Sequence, residues 1–421
     1  MKLPRLNRLT VLTLFAALIV NSGCNGEIDE ALKDRLIESA YVLNDSLATK
    51  RLQIITHISS LRGTSAELFK MVHISDAHLS DLSSDNKYDH PNNLREAIRF
   101  SNKKELKINA ITFTGDAVGS DFNTKKLDAM KFFRSFLFHL YDQNNIPTFP
   151  CVGNHDSNML NADKSQYLSR GDIHAAMTFS LQSAALMPQG KNYYYADVRN
   201  PMGGFVRYIA LDMLEQDYEF HYDTQHLAYF SQQQIDWLCQ TALQEGMTPN
   251  HSVIILTHFP FQRSGNGENS YLSDGDFIQP WYMIPEIVEA FRTKSALNKS
   301  YKSNYGAEPI DVDVDFSSIP GEFICHLGGH IHATARFSID GLKNQSPNLP
   351  PQQMLLCTNM SPSEMGRTYN KVDRLSKMPS SNAFCIYGID TNSKKVYITF
   401  FGAFIPAGQP DYPEVQEFDY L

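Results

Sequence analysis

Cysteine is scarce and unpatterned in this 421-residue chain: the six present show no regular spacing. That excludes a disulfide framework as the source of the fold, because such scaffolds carry cysteines at short, recurring intervals. Cys151, Cys325, Cys357 and Cys385 lie in apolar, strand-like runs and Cys239 on a helical pattern, so they read as small buried hydrophobes. Clusters of basic residues are missing too. With a net charge of −9 and scattered Lys and Arg, the chain lacks the electrostatic footprint of a nucleic-acid-binding protein. After residue 24 there is no apolar run of ~18 residues, the length a membrane-spanning helix needs. Internal repeats and low-complexity tracts are absent. What remains is an ordinary globular composition, 42% hydrophobic and 20% charged, of a length that suits an α/β domain with insertions.

The start of the chain has a different character. Lys2, Arg5 and Arg8 form a positive region, followed by an apolar stretch over 9–20 that is too short to span a bilayer comfortably. Asn21-Ser22-Gly23-Cys24 comes next and resembles the lipobox of bacterial lipoproteins, with Asn21 where the common pattern has Leu. Residues 1–24 are therefore expected to be a lipoprotein-type signal peptide. Cys24 would carry the lipid, and the exported chain would sit in the cell envelope, periplasmic or on the outer surface, held to the membrane by that anchor. Residues 25–66, with apolar positions at Ile28, Leu32, Leu36 and Ile37, are expected to form a helical spacer.

From residue 67 the pattern becomes regular. Residues 69–75, 110–114 and 148–152 read as buried strands, and 93–107 and 124–140 as the helices between them. This rhythm predicts an α/β fold. Further strands are predicted at 207–213, 252–257 and 322–327, with a helix at 231–244. Residues 353–358, 383–389 and 395–401 read as strands with no helices between them, hence as antiparallel. Two stretches, 157–206 and 259–321, are long, polar and turn-rich, and such excursions often form functional rims. The catalytic domain is expected over 67–405, with 406–421 as a C-terminal tail.

Short motifs follow these strands in order: Asp76-Ala77-His78, Gly115-Asp116, Gly153-Asn154-His155-Asp156, a lone His258, and Gly329-His330-Ile331-His332. Taken singly, each is an ordinary turn or cap, since Asn, Asp and Gly are turn formers. Taken together, each after a strand, they point to one site, because open α/β sheets bind ligands beyond the carboxyl ends of their strands. Asp76 and His78 are two residues apart, as are His330 and His332, so in extended chain each pair projects from one face. Asp, Asn and His donors without cysteine suit two divalent or trivalent ions such as Fe, Mn or Zn. Two ions ~3.5–4 Å apart activate a water and neutralise phosphoryl oxygens together, the usual device for hydrolysing phosphate esters.

These motifs resemble those of the calcineurin-like metallophosphoesterase superfamily, and the likeness covers roughly residues 67 to 340. The resemblance implies an α/β fold built as a two-layered mixed β-sheet sandwich flanked by helices, in four α-β-β-α layers. It implies one metal held by Asp76, His78, Asp116 and His332, and a second held by Asp116, Asn154, His258 and His330. His155 would stand at the leaving group as the proton donor without binding metal. Two branches of the superfamily are disfavoured. Phosphoprotein phosphatases continue Gly-Asp with Asp-Arg-Gly, whereas Ala117-Val118-Gly119 follows here; purple acid phosphatases place a tyrosine ligand where Gly119 stands. Asp156 is expected to brace its loop. Arg263, and the aromatic residues Phe259, Phe261, Trp281 and Tyr282 of the same excursion, are candidates for contacting substrate.

The expected activity is hydrolysis of a small-molecule phosphomonoester or phosphodiester by a metal-activated hydroxide. The rival readings are a membrane-anchored binding or scaffold protein on the same fold, and a metal-dependent hydrolase of another bond. The complete ligand set, with His155 left outside it, favours the enzyme.

Overall fold

The computed structural model describes residues 50, 52–57, 67–78, 97–119, 124–131, 133, 146–158, 161, 163–180, 185–215, 227–261, 278–330, 335–336, 355–357, 382–402 and 415–420. All of them fall within the compact unit Leu43–Leu421. The expected leader, Cys24 and most of the 25–66 spacer lie outside the described residues.

In chain order the strands are β1 (Phe69–Ile74), β2 (Ala110–Phe113), β3 (Thr148–Pro150), β4 (Ala185–Leu186), β5 (Tyr194–Arg199), β6 (Phe205–Ala210), β7 (His251–Leu256), β8 (Ala296–Tyr301), β9 (Ile310–Asp315), β10 (Glu322–Gly328), β11 (Ala335–Arg336), β12 (Leu355–Cys357), β13 (Ala383–Asp390), β14 (Lys395–Gly402) and β15 (Val415–Asp419). They form a six-stranded sheet in the order β15-β14-β13-β1-β2-β3, a seven-stranded sheet in the order β11-β12-β10-β7-β6-β5-β4, and a separate β8-β9 pair. β1, β2 and β3 are parallel, as are β6, β7, β10 and β12. Strands buried on both faces read as continuous apolar runs, and β1, β7 and β13 are buried along their whole length.

The two sheets pack face to face. Tyr208 of β6 reaches across, with its hydroxyl 3.2 Å from Met71 Sδ and its ring stacked on Phe149 of β3 at 4.7 Å. Tyr194 of β5 donates a hydrogen bond to the Pro150 carbonyl at 2.8 Å. Helices cover both outer faces. Phe100, in a helical stretch over 97–101, packs on Phe384 and Phe401 of the first sheet. Behind the second sheet, Trp237 of the helix Gln232–Trp237 lies against Tyr193. The buried Arg207 of β6 donates to the Ala242 and Glu245 carbonyls and pairs with Asp197. This is the mixed, two-layered, helix-flanked α/β sandwich anticipated from the motifs.

Several details differ from expectation. The helix expected over 93–107 ends at Ser101, where the Ser101 hydroxyl and the Asn102 amide donate to the Ala97 and Ile98 carbonyls, a local competition that closes helices. β13 and β14 pair antiparallel as expected, but β12 does not join them: it lies in the second sheet, parallel to β10 and antiparallel to β11. The excursion 259–321 contains the helix Met283–Thr293, ended by Lys294 in the left-handed conformation (φ 55), and the β8–β9 hairpin. The excursion 157–206 contains the helix Arg170–Ser180, β4 and β5. Val415–Asp419, expected as tail, is the edge strand β15 paired to β14.

Candidate metal centre

The carboxyl ends of β1, β2, β3, β7 and β10 deliver the motif residues to one place. Backbone turns there are sharp. Asp76 (φ 52), His78 (φ 44), Asp116 (φ 57) and His330 (φ 71) all sit in the left-handed region, which costs a non-glycine residue roughly 1–2 kcal/mol each. Such strain persists only where surrounding bonds over-determine it, and here they do. Asp76 N–H donates to the Gly115 carbonyl at 3.0 Å and His78 N–H to the Asp116 carbonyl at 2.9 Å. His330 N–H donates to Asp76 Oδ1 and His155 N–H to Asp116 Oδ1, both at 2.9 Å.

Two glycines make this crowding feasible. A Cβ on Gly153 would lie 2.2 Å from Asp116 Oδ1, and one on Gly329 would lie 2.0 Å from Ser75 Oγ and 2.7 Å from Asp76 Oδ2. Only hydrogen fits at either position.

Asp116 is the hub. Its Oδ2 lies 3.4 Å from His78 Nε2, 3.2 Å from His258 Nε2 and 3.9 Å from His155 Nε2. Asn154 Oδ1 lies 2.8 Å from His258 Nε2 and 3.1 Å from His330 Nδ1. Asp76 Oδ1 is 3.9 Å from His78 Nε2. Among the described residues, two groups with donor atoms within 4.8 Å of one another result: His78, Asp116 and His155, and Asp116, His258 and His330. The structure thus brings Asp76, His78, Asp116, Asn154, His155, His258 and His330 together. His332 and Arg263 lie outside the described residues. Phe259, Phe261 and Trp281, considered as substrate platforms, are buried instead: Phe259 packs on the His330 ring at 4.1 Å and Phe261 on His326 at 4.6 Å.

The sequence matches the calcineurin-like phosphoesterase family over residues 69–333. The chain belongs to that family. No curated protein matches it in sequence. Among solved structures it is similar to the phosphopantetheinyl hydrolase PptH from Mycobacterium tuberculosis, with 11% identity, a TM-score of 0.35, and coverage of 70% of this chain and 89% of that one. At that score the likeness carries no argument about activity.

Calcineurin-like phosphoesterases are metal-dependent, and the donor set here fits metal. His258 shows it best. Its Nδ1–H donates to the Thr114 carbonyl at 2.7 Å, which leaves Nε2 as the ligating atom, aimed at the Asp116 and Asn154 oxygens. Three electron-rich atoms meeting in a buried spot require a cation or a proton between them. The Thr114 carbonyl had no signature in the sequence, since backbone carbonyls carry none. Without metal the proton fills that role. Burial pulls the His258 pKa down, but Asp116 beside it outweighs this and raises it to about 9. Burial likewise acts to raise Asp116, and His258, His155 and His78 together hold it well below the usual carboxylate range.

Metal must therefore displace the His258 proton, which yields a pH prediction. Between pH 7 and about 9, apparent metal affinity should rise by about tenfold per unit for each proton displaced. The metal-free protein should show the opposite trend. His258's raised pKa contributes stability that is fully present below the unfolded value near 6.5 and is lost as pH rises through about 9. Metal titrations and urea melts of the metal-free protein at stepped pH read both arms; metal affinity flat from pH 7 to 9 would remove the proton from the site.

Asp156 does not face this cluster. Its carboxylate accepts from Gly153 N–H (2.8 Å), Asp116 N–H (3.1 Å) and Val118 N–H (3.0 Å), tying the loops after β2 and β3 together. Burial and the neighbouring Asp116 charge push its pKa up to about 7, against the pull of those N–H donors. Asp156→Ala should cost about 3–5 kcal/mol, because each orphaned buried donor costs ~1–3. Urea unfolding checks this, and a loss below about 1 kcal/mol, the scale of one ordinary hydrogen bond, would show that the loops hold without it.

Proposed function

We propose that this protein is a dinuclear-metal-dependent phosphoesterase acting on a phosphomonoester or phosphodiester of a small molecule, with Fe, Mn or Zn as its ions. The observation that carries the reading is the sharing of Asp116 between two donor groups: its Oδ2 lies within 3.4 Å of both His78 Nε2 and His258 Nε2, so a single carboxylate would serve both ions. Asp76, His78, Asp116 and, by motif, His332 would hold one; Asp116, Asn154, His258 and His330 would hold the other. Bound there, the ions supply positive charge for the phosphoryl oxygens and lower the pKa of water to make a nucleophile. Nitrogen-rich donors favour transition metals over Mg, which prefers oxygen.

The chain's own residues do the rest. Asn154 contributes a neutral oxygen, so Asp76 and Asp116 are the only carboxylates in the assigned set and the loaded centre stays attractive to an anion in a protein of net charge −9. Asp156 and the Thr114 carbonyl fix Asp116 and His258 in orientation. His155 has its ring 4.5 Å from that of His78, edge to face, and keeps 16% of its side chain exposed. From there its Nε2 can hold a proton for the departing oxygen.

The test is elemental analysis of the purified protein with hydrolysis of bis(p-nitrophenyl) phosphate. About two transition-metal ions per chain and Mn-stimulated release of nitrophenolate are expected. No bound metal, together with no activation by Mn, would sink the reading.

Export and anchoring through Cys24 complete the proposal, supported by the basic start, the short apolar stretch and the Ser22-Gly23-Cys24 sequence. Cys24→Ser should shift the protein from the membrane to the soluble fraction or leave an unprocessed precursor. Unchanged processing and fractionation would show that no lipid is attached there.

A further inference from the structure

Beside the metal centre, at the end of β6, stands a cluster that the hydrolytic reading does not use. β6 and β7 are parallel with Ala210 opposite Leu256, and the pairing continues through Leu211 N–H to the Leu256 carbonyl at 3.0 Å. Continued two residues beyond the strand ends, that register sets Asp212 opposite His258, one inter-strand spacing of about 5 Å away along the backbone. Asp212 and Glu215 are buried carboxylates, with side chains 1% and 4% exposed. Each holds a cation from the excursion 157–206. Arg170 donates through one guanidinium nitrogen to Asp212 Oδ2 and through another to the Leu214 carbonyl. Lys191 Nζ lies 3.0 Å from Glu215 Oε1.

The carboxylates are fixed independently of these cations. Asp212 Oδ1 accepts from Leu214 N–H, and Glu215 Oε2 accepts from the Ser231 hydroxyl at 2.5 Å, from its N–H at 3.2 Å and from the Gln234 amide at 2.9 Å. The two pairs form one cluster. The Tyr193 phenol is raised by burial, then by Glu215 and Asp212, and lowered by Arg170, while Lys191 Nζ sits 6.0 Å from its ring centre. The negative charges face inward, whereas Arg170 and Lys191 remain 23% and 28% exposed. The cluster is formally neutral, but the groups it leaves partly exposed are its two cations, already positioned by buried anchors. An incoming anion need not order them, which is what makes such a group effective at recognition.

Resting on the phosphoesterase reading, we propose that Arg170 and Lys191 form a subsite for a second anionic group, a phosphate or a carboxylate, on the substrate of the neighbouring metal centre. The scissile phosphate belongs to the metals. The subsite, a strand's width to the side, selects esters that carry a further negative charge over neutral alkyl or aryl esters.

The test uses phosphonates, which have no ester bond to hydrolyse, binding to the full-length, Mn-loaded protein by calorimetry. Propylphosphonate offers one anion, 3-phosphonopropionate adds a carboxylate, and butane-1,4-diphosphonate adds a second phosphonate. The wild type should bind at least one of the two-anion probes about tenfold tighter than propylphosphonate, and which one identifies the favoured group. Lys191→Met leaves Glu215 its Ser231 and Gln234 partners, and Arg170→Lys keeps a charge on Asp212 while losing the planar fork. Each variant should reduce that advantage to about threefold or less and leave propylphosphonate affinity unchanged. Equal affinity for one- and two-anion probes in the wild type, or an undiminished advantage in both variants, overturns the subsite. If propylphosphonate itself fails to bind and the chromogenic diester is not hydrolysed, the phosphoesterase reading falls, and the subsite with it.

Discussion

Asp116→Asn should empty both halves of the metal centre at once and lower kcat/KM by more than about 10²-fold, since even outer partners of metal ligands cost 10–100-fold. The reason is geometric and electrostatic together. Asp116 Oδ2 is within 3.4 Å of both His78 Nε2 and His258 Nε2, and Oδ1 holds the His155 N–H. An amide keeps the shape but offers a neutral, weaker oxygen to His78 and His258, and its NH2 group would then face the His155 N–H donor. Metal content by elemental analysis and hydrolysis rate should fall in parallel. Full metal occupancy in Asp116→Asn would mean that the two donor groups do not meet at this residue.

His155→Ala should behave differently. It should retain both metals yet lower kcat by ~10²–10⁴, the range for losing a positioned proton donor. The loss should shrink for nitrophenolate esters, whose leaving group needs little protonation, and be largest for alkyl esters. Comparing kcat across leaving groups of graded pKa makes the assignment testable. The structure adds a sharper alternative, because His155 Nε2 falls with His78 and Asp116 in one potential ligand group. If His155→Ala loses a metal, or slows good and poor leaving groups alike, His155 is a ligand or a phosphate contact and not the acid.

Much of this centre was legible in sequence because its parts are local. Asp76-Ala77-His78 follows a largely apolar strand, Gly115-Asp116 another, and Gly153-Asn154-His155-Asp156 a third, so strand ends and donors could be placed together. The excursions were less legible. The helix Met283–Thr293 carries a proline at its third position, Pro285, tolerable in a first turn but a breaker signal in isolation. The β9 strand alternates Asp with Ile and Val over 310–315 and is exposed at every second residue, so its polar half resembled a loop.

By itself, the order of residues determined which side chains are available as ligands and which runs become strands. Those properties follow from periodicity and residue chemistry over a few neighbours. Tertiary structure alone decided which nitrogen of His258 faces the centre, through a carbonyl 144 residues away. It decided that β12 joins β10 in parallel and that Phe259 and Phe261 turn into the core. It also set Arg170 and Lys191 on buried carboxylates beside the site. Each of these depends on a partner atom remote in the chain, and a hydrogen bond or ion pair is specified by the atoms at both of its ends.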